Sequence, residues 1–208
     1  MQSQKYLQLT LAIIKPHIVK SPFVLQKIRD LIIDNNLKIV RSRRTIITQK
    51  EAELFYEEHK DKFFYNRLLT FMCSGPSDIH ILTDYDAIVK WRKLIGPTKV
   101  YQAQYTAPNT IRGMFGLSDT RNAAHGSGKS FVLRNLFVLF VQLRTTVVSD
   151  SEESAVKEIR IFFENFDVKK WYESEEKYYN LGQVHFDPVA FLHSIDKSSI
   201  NTTKKQIT

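Results

Sequence analysis

A chain of 208 residues, 43% of them hydrophobic, has room for one domain of ordinary size and a tail. Its formal charge of +8 suits phosphate-rich ligands, a nucleic acid or an anionic surface, but the basic residues are not interleaved with aromatics, which sets specific nucleic-acid recognition aside. A single cysteine excludes an internal disulfide and fits a reducing compartment, and the six residues before Leu7 are too few for a signal peptide or full transit peptide, so a cytoplasmic or mitochondrial protein is expected.

Leu7, Leu9, Leu11 and Ile13 alternate with Gln8, Thr10 and Ala12, which predicts a strand ending at Pro16 and leaves Lys15 at its end. Ser21-Pro22 opens a helix, Val24, Ile28 and Leu31 mark its core face, and Asn35-Asn36 stops it. Leu37 to Ile47 reads as a second strand. Thr48 to Glu51 has capping-box spacing, so a helix follows, ending near His59 with Tyr56 in its last turn. Phe63 to Cys73 reads as a further helix with Phe64, Leu68 and Phe71 on one stripe, and Cys73 beside them as a buried thiol. Ile79 to Leu82 is a short strand. Asp84 to Leu94 is a helix ended by Gly96-Pro97, with Arg92 and Thr98 flanking that end. Lys99 to Pro108 reads as a long loop with apolar contacts from Val100, Tyr101 and Tyr105.

The stretch Thr110 to Ser127, TIRGMFGLSDTRNAAHGS, gathers an arginine, an asparagine and a histidine among small residues. Glycines admit a close backbone approach, the Arg112 fork fits phosphate oxygens, and His125 has the chemistry of a nucleophile near neutral pH. Taken singly, each has a plainer reading: a loop histidine, a surface ion-pair partner, and for Asn122 a turn residue. Their combination adds weight to phosphate chemistry centred on His125, with the plainer readings still open. Next comes an apolar stretch that imitates two other motifs. Gly128-Lys129-Ser130 ends like a P-loop, yet Ala123 stands where its first glycine belongs. Phe131–Val148 approaches the length of a membrane span, yet it contains Arg134, Asn135, Gln142 and Arg144. A helix from about Ser151 to Phe163 carries Ala155, Ile159 and Phe162 on one face, with Glu158 at its border. From about Lys177 the chain reads as polar and irregular, and its end as a disordered tail.

The chain resembles the nucleoside diphosphate kinases. Their pattern T-I-R-G-x-F then R-N-x-x-H-G-S-D-S is matched by Thr110–Gly113, Arg121–Asn122 and His125–Ser127. AIIKP at Ala12–Pro16, Tyr56 eight residues before Phe64, SGP at Ser74–Pro76 and WRKLIGPT at Trp91–Thr98 fall in order. The phrases DAIVKWRKLIGPT, APNTIRGMFGLSDTRN and WYESEE are most similar to the type 6 branch. The match runs from about Leu7 to about Glu176, which divides the chain into a short arm (1–6), the domain (7–176) and a C-terminal extension (177–208). It breaks once. Removing the 22 residues Gly128–Ser149 restores HGSDSEESAVKEI, so they are read as an insertion, and a retained intron is one origin that fits the codons available to Gly-Lys.

The resemblance implies a ferredoxin-like α/β sandwich, a four-stranded antiparallel sheet covered by helices. It implies ping-pong transfer of the terminal phosphate of a nucleoside triphosphate to a nucleoside diphosphate through phosphohistidine at His125. Ser127 and Glu158 would organise the ring. Arg92, Thr98 and Arg112 would hold phosphates bridged by Mg²⁺, which the phosphates themselves mainly hold. Lys15 and Asn122 would contact the sugar 3′-hydroxyl and nearby oxygens, with Tyr56 positioning that cluster. Phe64 would stack on the base, supported by Leu68. A homo-oligomer of family type is expected, and no transmembrane span. The competing expectation is a catalytically impaired nucleotide-binding module, in which the insertion uncouples Ser127 from Glu158.

Overall fold

The computed structural model describes residues 6–127 and 150–196. The insert Gly128–Ser149, with its P-loop-like and span-like readings, and the tail from Lys197 lie outside the described residues.

Four strands, β1 (Gln8–Ile14), β2 (Lys38–Thr45), β3 (Ser77–Asp84) and β4 (Ala124–Gly126), form one antiparallel sheet in the order β2-β3-β1-β4. This is the arrangement expected of a ferredoxin-like sandwich. β1 is central and buried on both faces. Its alternation therefore separates one core from another rather than core from solvent: Leu9, Leu11 and Ile13 enter one apolar cluster, Ala12 and Ile14 the other.

Helices cover each face. On the Ala12 side lie α1 (Pro16–Val19), α2 (Pro22–Asp34), α5 (Ala87–Ile95) and α7 (Ile111–Phe115). On the Leu11 side lie α3 (Gln49–Phe55), α4 (Tyr65–Met72) and α8 (Asp150–Phe162). The capping box forms as its spacing requires: Thr48 Oγ1 accepts from the Glu51 N–H at 3.2 Å, and Glu51 Oε2 from the Thr48 N–H at 2.8 Å. A single 3₁₀ turn, Glu57–His59, follows α3, and Tyr56 caps the junction.

Five expectations are corrected. The buried face of α2 is Leu25, Ile28 and Ile32, with Val24 and Leu31 only half-buried beside it. In α4 the buried residues are Leu68, Leu69 and Met72; Phe64 is the N-cap, and Phe71 is half-buried, packed against His17 at 5.5 Å and beneath the Arg121 guanidinium at 5.7 Å. Cys73 is likewise only partly buried. Lys99–Pro108 is not a loop, because Val100–Thr106 forms helix α6. Val100 and Ala103, one turn apart, are its buried contacts, while Tyr101 and Tyr105 stand out in solvent, paired at 5.1 Å.

The stretch from Lys177 is not irregular either. After α9 (Val168–Ser174) and α10 (Glu176–Asn180) come β5 (Val184–Asp187) and β6 (Leu192–Ile195), a two-stranded antiparallel sheet. Tyr179 and Phe191 are buried in the two cores of the domain. The hairpin meets β2, where the Ile39 N–H donates to His193 Nδ1 at 3.0 Å. Polar side chains here make the tertiary contacts, so their polarity does not signal disorder. Among the described residues no helix is long and apolar enough to cross a membrane.

Candidate active site

The main chain around His125 is fixed before its side chain is considered. β4 pairs with β1, Ile13 opposite His125. The His125 carbonyl accepts from Trp91 Nε1 at 2.9 Å, and the Ala124 carbonyl from Arg112 Nη2 at 3.0 Å. Gly126 permits the Trp91 contact, since a Cβ there would lie 2.7 Å from the indole. Ala123 has φ 71°, a left-handed conformation that costs a non-glycine residue about 1–3 kcal/mol and is typical of constrained sites. Its carbonyl accepts from the Lys15 N–H at 3.0 Å, joining the end of β1 to the entry of β4.

Among the described residues the imidazole is held at one nitrogen. His125 Nε2 lies 3.1 Å from Glu158 Oε2, and Ser127 Oγ donates to the same oxygen at 2.8 Å. The Leu11 N–H donates in turn to Ser127 Oγ at 3.4 Å. A carboxylate oxygen only accepts, so Nε2 carries a hydrogen, and in the neutral imidazole Nδ1 is then the nitrogen with the lone pair. That is the division a phosphate acceptor needs: one nitrogen anchored, the other nucleophilic.

Cations form the second half of the site. Lys15 is only 4% exposed; its ammonium donates to the Thr120 carbonyl at 3.0 Å, and burial together with the Arg112 charge brings its pKa down to about 7. Arg112 is buried as well. It donates to the Gly96 carbonyl at 2.7 Å and to Thr98 Oγ1 at 3.4 Å, and burial followed by Arg92 pushes it down to about 10. Gly96, at φ 80°, turns the chain from α5 so that its carbonyl and Thr98 both face Arg112. Asn122 donates to the Thr98 carbonyl at 3.2 Å. Arg92 and Thr98 are exposed at the end of α5. Burial, then the Glu158 charge, raises the Tyr56 phenol well above its ordinary value, so it stays protonated.

Tyr56 Oη, Asn122 Oδ1 and Arg112 Nε are buried without a protein partner among the described residues. An unpaired buried polar group costs about 1–3 kcal/mol, so such a cluster beside two buried cations fits a polar anionic ligand. Among the described residues no group of three His, Cys, Asp or Glu side chains could hold a metal ion. The donor set suits phosphate, and a divalent cation would be carried by the phosphates.

Leu68 is buried in the core and Phe64 lies one turn before it, half-buried, its ring edge-on to the exposed Phe63 at 5.5 Å. A cavity of about 730 Å³ opens between α4 and α6, lined by Arg67, Phe71, Tyr101, Leu117, Asp119 and Arg121 among others. His125 is not in its wall. Thr120 is, and the Thr120 carbonyl holds Lys15, so the cavity adjoins the cationic half of the site. Its size is within the range of small-ligand sites. The structure thus brings His125, Ser127 and Glu158 together, and separately Lys15, Arg112, Thr98 and Asn122. Tyr56 and Arg92 approach through their charge coupling to Glu158 and Arg112.

Sequence reasoning missed what the Trp91 indole does, the strained Ala123 and the Phe55 ring, whose centroid lies 4.7 Å from that of the His125 imidazole. The last two have no local signal, because the contacts join distant segments.

The family model described as "Nucleoside diphosphate kinase" matches residues 8–142. The human protein named Nucleoside diphosphate kinase 6 is 40% identical over 195 residues, covering 94% of this chain and 93% of its own length. Among solved structures, the Aquifex aeolicus nucleoside diphosphate kinase is 33% identical, with a TM-score of 0.62 over 76% of this chain and 95% of its own. The Halobacterium salinarum enzyme in complex with CDP is 27% identical, with a TM-score of 0.61 over 79% of this chain and 97% of its own.

Proposed function

Because this chain belongs to the nucleoside diphosphate kinase family, we propose that it carries the terminal phosphate of a nucleoside triphosphate to a nucleoside diphosphate through phosphohistidine at His125. The observation that carries this is the anchoring of Nε2 by Glu158, with Nδ1 meeting no hydrogen-bond partner among the described residues.

In the first half-reaction Nδ1 forms a bond to the γ-phosphorus, and the bond from that phosphorus to the β–γ bridging oxygen breaks. The electron pair leaves on the β-phosphate of the departing diphosphate. The Nε2 proton stays in place, stabilised by the Glu158 carboxylate, which Ser127 orients. A second diphosphate then takes the phosphoryl group from Nδ1 by the reverse displacement. One covalent carrier lets donor and acceptor use the same site in turn. Lys15, Arg92 and Arg112 offset phosphate charge, Thr98 and Asn122 add hydrogen bonds, and positioning with charge neutralisation supplies most of the rate. A magnesium ion would be held by the nucleotide phosphates and would offset part of their charge. Phe64 and the neighbouring cavity take the base; that the Halobacterium relative was solved in complex with CDP supports a nucleotide ligand.

The impaired-module reading required Ser127 to be apart from Glu158. Their 2.8 Å hydrogen bond favours the enzyme instead. Incubation with γ-labelled ATP and Mg²⁺ tests it: acid-labile, alkali-stable phosphate on His125, lost in His125→Ala, is the expected result. Label that persists in the variant places the nucleophile elsewhere, and an unlabelled intact protein returns the reading to a binding module.

A further inference from the structure

Phe55 closes α3, and its ring meets the His125 imidazole at 4.7 Å between centroids and 72° between planes. Phe162 packs on the same ring at 5.1 Å and 65°, and Tyr56 at 4.8 Å and 78°. Phe162 and Glu158 are one turn apart on α8, so one helix supplies both the carboxylate on Nε2 and the ring behind Phe55. Arg43 on β2 locks the two helices to each other. Its Nη1 donates to the Phe162 carbonyl at 2.8 Å and pairs with Glu51 of α3 at 3.1 Å.

A hydrogen bond at one ring nitrogen fixes a point but not a plane. The outer torsion of histidine is broad, so an imidazole held at Nε2 alone can still swing about that contact. We infer that Phe55 is a positioning residue for phosphoryl transfer: its ring, backed by Phe162, fixes the plane of the His125 imidazole while Glu158 fixes Nε2, and together they aim Nδ1. The contact contributes no charge and touches no substrate. Its effect is on the fraction of time that Nδ1 lies in line with the γ-phosphorus, which bears on the rate of transfer and not on nucleotide affinity. The inference rests on the phosphohistidine reading of the site.

Single-turnover labelling with γ-labelled ATP separates the two. The first-order rate of phosphoenzyme formation at saturating nucleotide is measured for the intact protein and for Phe55→Ala, Phe55→Leu and Phe55→Tyr, with nucleotide affinity determined in parallel. The expected result is a rate about ten- to a hundredfold lower in Phe55→Ala, affinity within about threefold, and recovery of most of the rate in Phe55→Tyr. Phe55→Leu keeps most of the apolar volume and so keeps the fold if alanine does not; it should fall between the two. Labelling of His125 at the intact rate in Phe55→Leu and Phe55→Ala overturns the inference and leaves the proposed function standing. So does a loss confined to affinity. No label on His125 in the intact protein overturns both.

Discussion

Ser127 Oγ donates a 2.8 Å hydrogen bond to Glu158 Oε2 although 31 positions separate the two residues. The bond brings α8 to the end of β4, where Ala155, Ile159 and Phe162 of that helix are buried in the core. The 22 residues of the insert therefore do not keep α8 from its place.

This bears on what removing the insert will do. Doubling the length of a loop costs only about 0.6 kcal/mol, a factor of about threefold in an equilibrium. Deleting Gly128–Ser149 cuts the Ser127–Glu158 separation from 31 positions to nine, nearly two doublings, and should thus leave the rate of phosphoenzyme formation within about sixfold of the intact chain. A rise far beyond that would mean the insert holds α8 away from His125 for most of the time in solution, and the uncoupled reading would regain ground.

Glu158 accepts from two donors, so its loss should exceed the loss of either. A hydrogen bond to a charged group contributes about 1.5–3 kcal/mol. Ser127→Ala removes one such bond and leaves His125 anchored; a fall of about tenfold in phosphoenzyme formation is expected. Glu158→Ala strips the anchor from Nε2 and leaves both donors unpaired, and should cost about a hundredfold or more. Equal rates for the two variants in single-turnover labelling would show that the carboxylate acts only through Ser127.

Lys15 should take up a proton when nucleotide binds. In the free protein burial and the Arg112 charge bring its pKa down from 10.5 to about 7, so at pH 8 most of it is neutral. A phosphate within reach favours the charged form and raises that value. The linkage sign is that binding consumes protons between about pH 7 and 10, and the uptake disappears below about pH 6, where Lys15 is already charged. Calorimetry at pH 8 in two buffers of different ionisation heat should give an uptake approaching one proton, abolished in Lys15→Met. Identical heats in both buffers would mean that Lys15 is charged before nucleotide arrives.

Local signals in the sequence were followed faithfully where one segment carried the whole of its cause. Thr48 and Glu51 cap their helix through side chains three residues apart, Gly96 ends α5, and Ala155, Ile159 and Phe162 face the core from one side of α8. Helix α6 was not legible, because only Val100 and Ala103 are buried and its tyrosines point outward. The C-terminal hairpin was not legible because His193, Lys38 and Tyr179 satisfy one another across long separations. The motif pointed to the candidate site residues named in the proposal. It did not give the Phe55–His125 contact or the strain at Ala123, which depend on how α3, β4 and α8 converge.

Base selectivity should be weak. Phe64 offers a ring face, and stacking discriminates little between bases, whereas hydrogen-bond readout of a base edge discriminates strongly. Purine and pyrimidine diphosphates should compete for one site within about ten- to a hundredfold of one another. Phe64→Ala should weaken all of them by about 1–3 kcal/mol if the ring is the main base contact. Competition against the labelling reaction with four diphosphates measures both. A strict preference for one base, or a variant that weakens only one, would point instead to the polar groups of the adjoining cavity, Gln104 and Asp119 among them.

His80 should make the fold sensitive to acid. It is fully buried on β3, with Nδ1 3.0 Å from Ser42 Oγ and the Phe191 ring of the C-terminal segment at 5.1 Å. Burial, opposed by Asp78 and assisted by Arg29 and Arg44, lowers its pKa from 6.5 to about 4. The unfolded chain therefore binds this proton about two pH units before the folded one does, and stability falls as pH drops from about 6.5 towards 4. His17 and His193 are lowered to about 4 as well, with burial the main cause in each, and add to the same slope. Asp78, whose carboxylate Arg44 holds below its ordinary value, loses its contribution only at lower pH and does not confuse the window. His80→Asn retains a polar atom near Ser42 and removes the titration. Between pH 7 and 4.5 the intact protein should lose about 2 kcal/mol more stability than the variant, measured by urea denaturation at each pH. Parallel losses in the two proteins would mean that His80 takes up its proton inside the fold, with the hairpin around Phe191 opening to admit it.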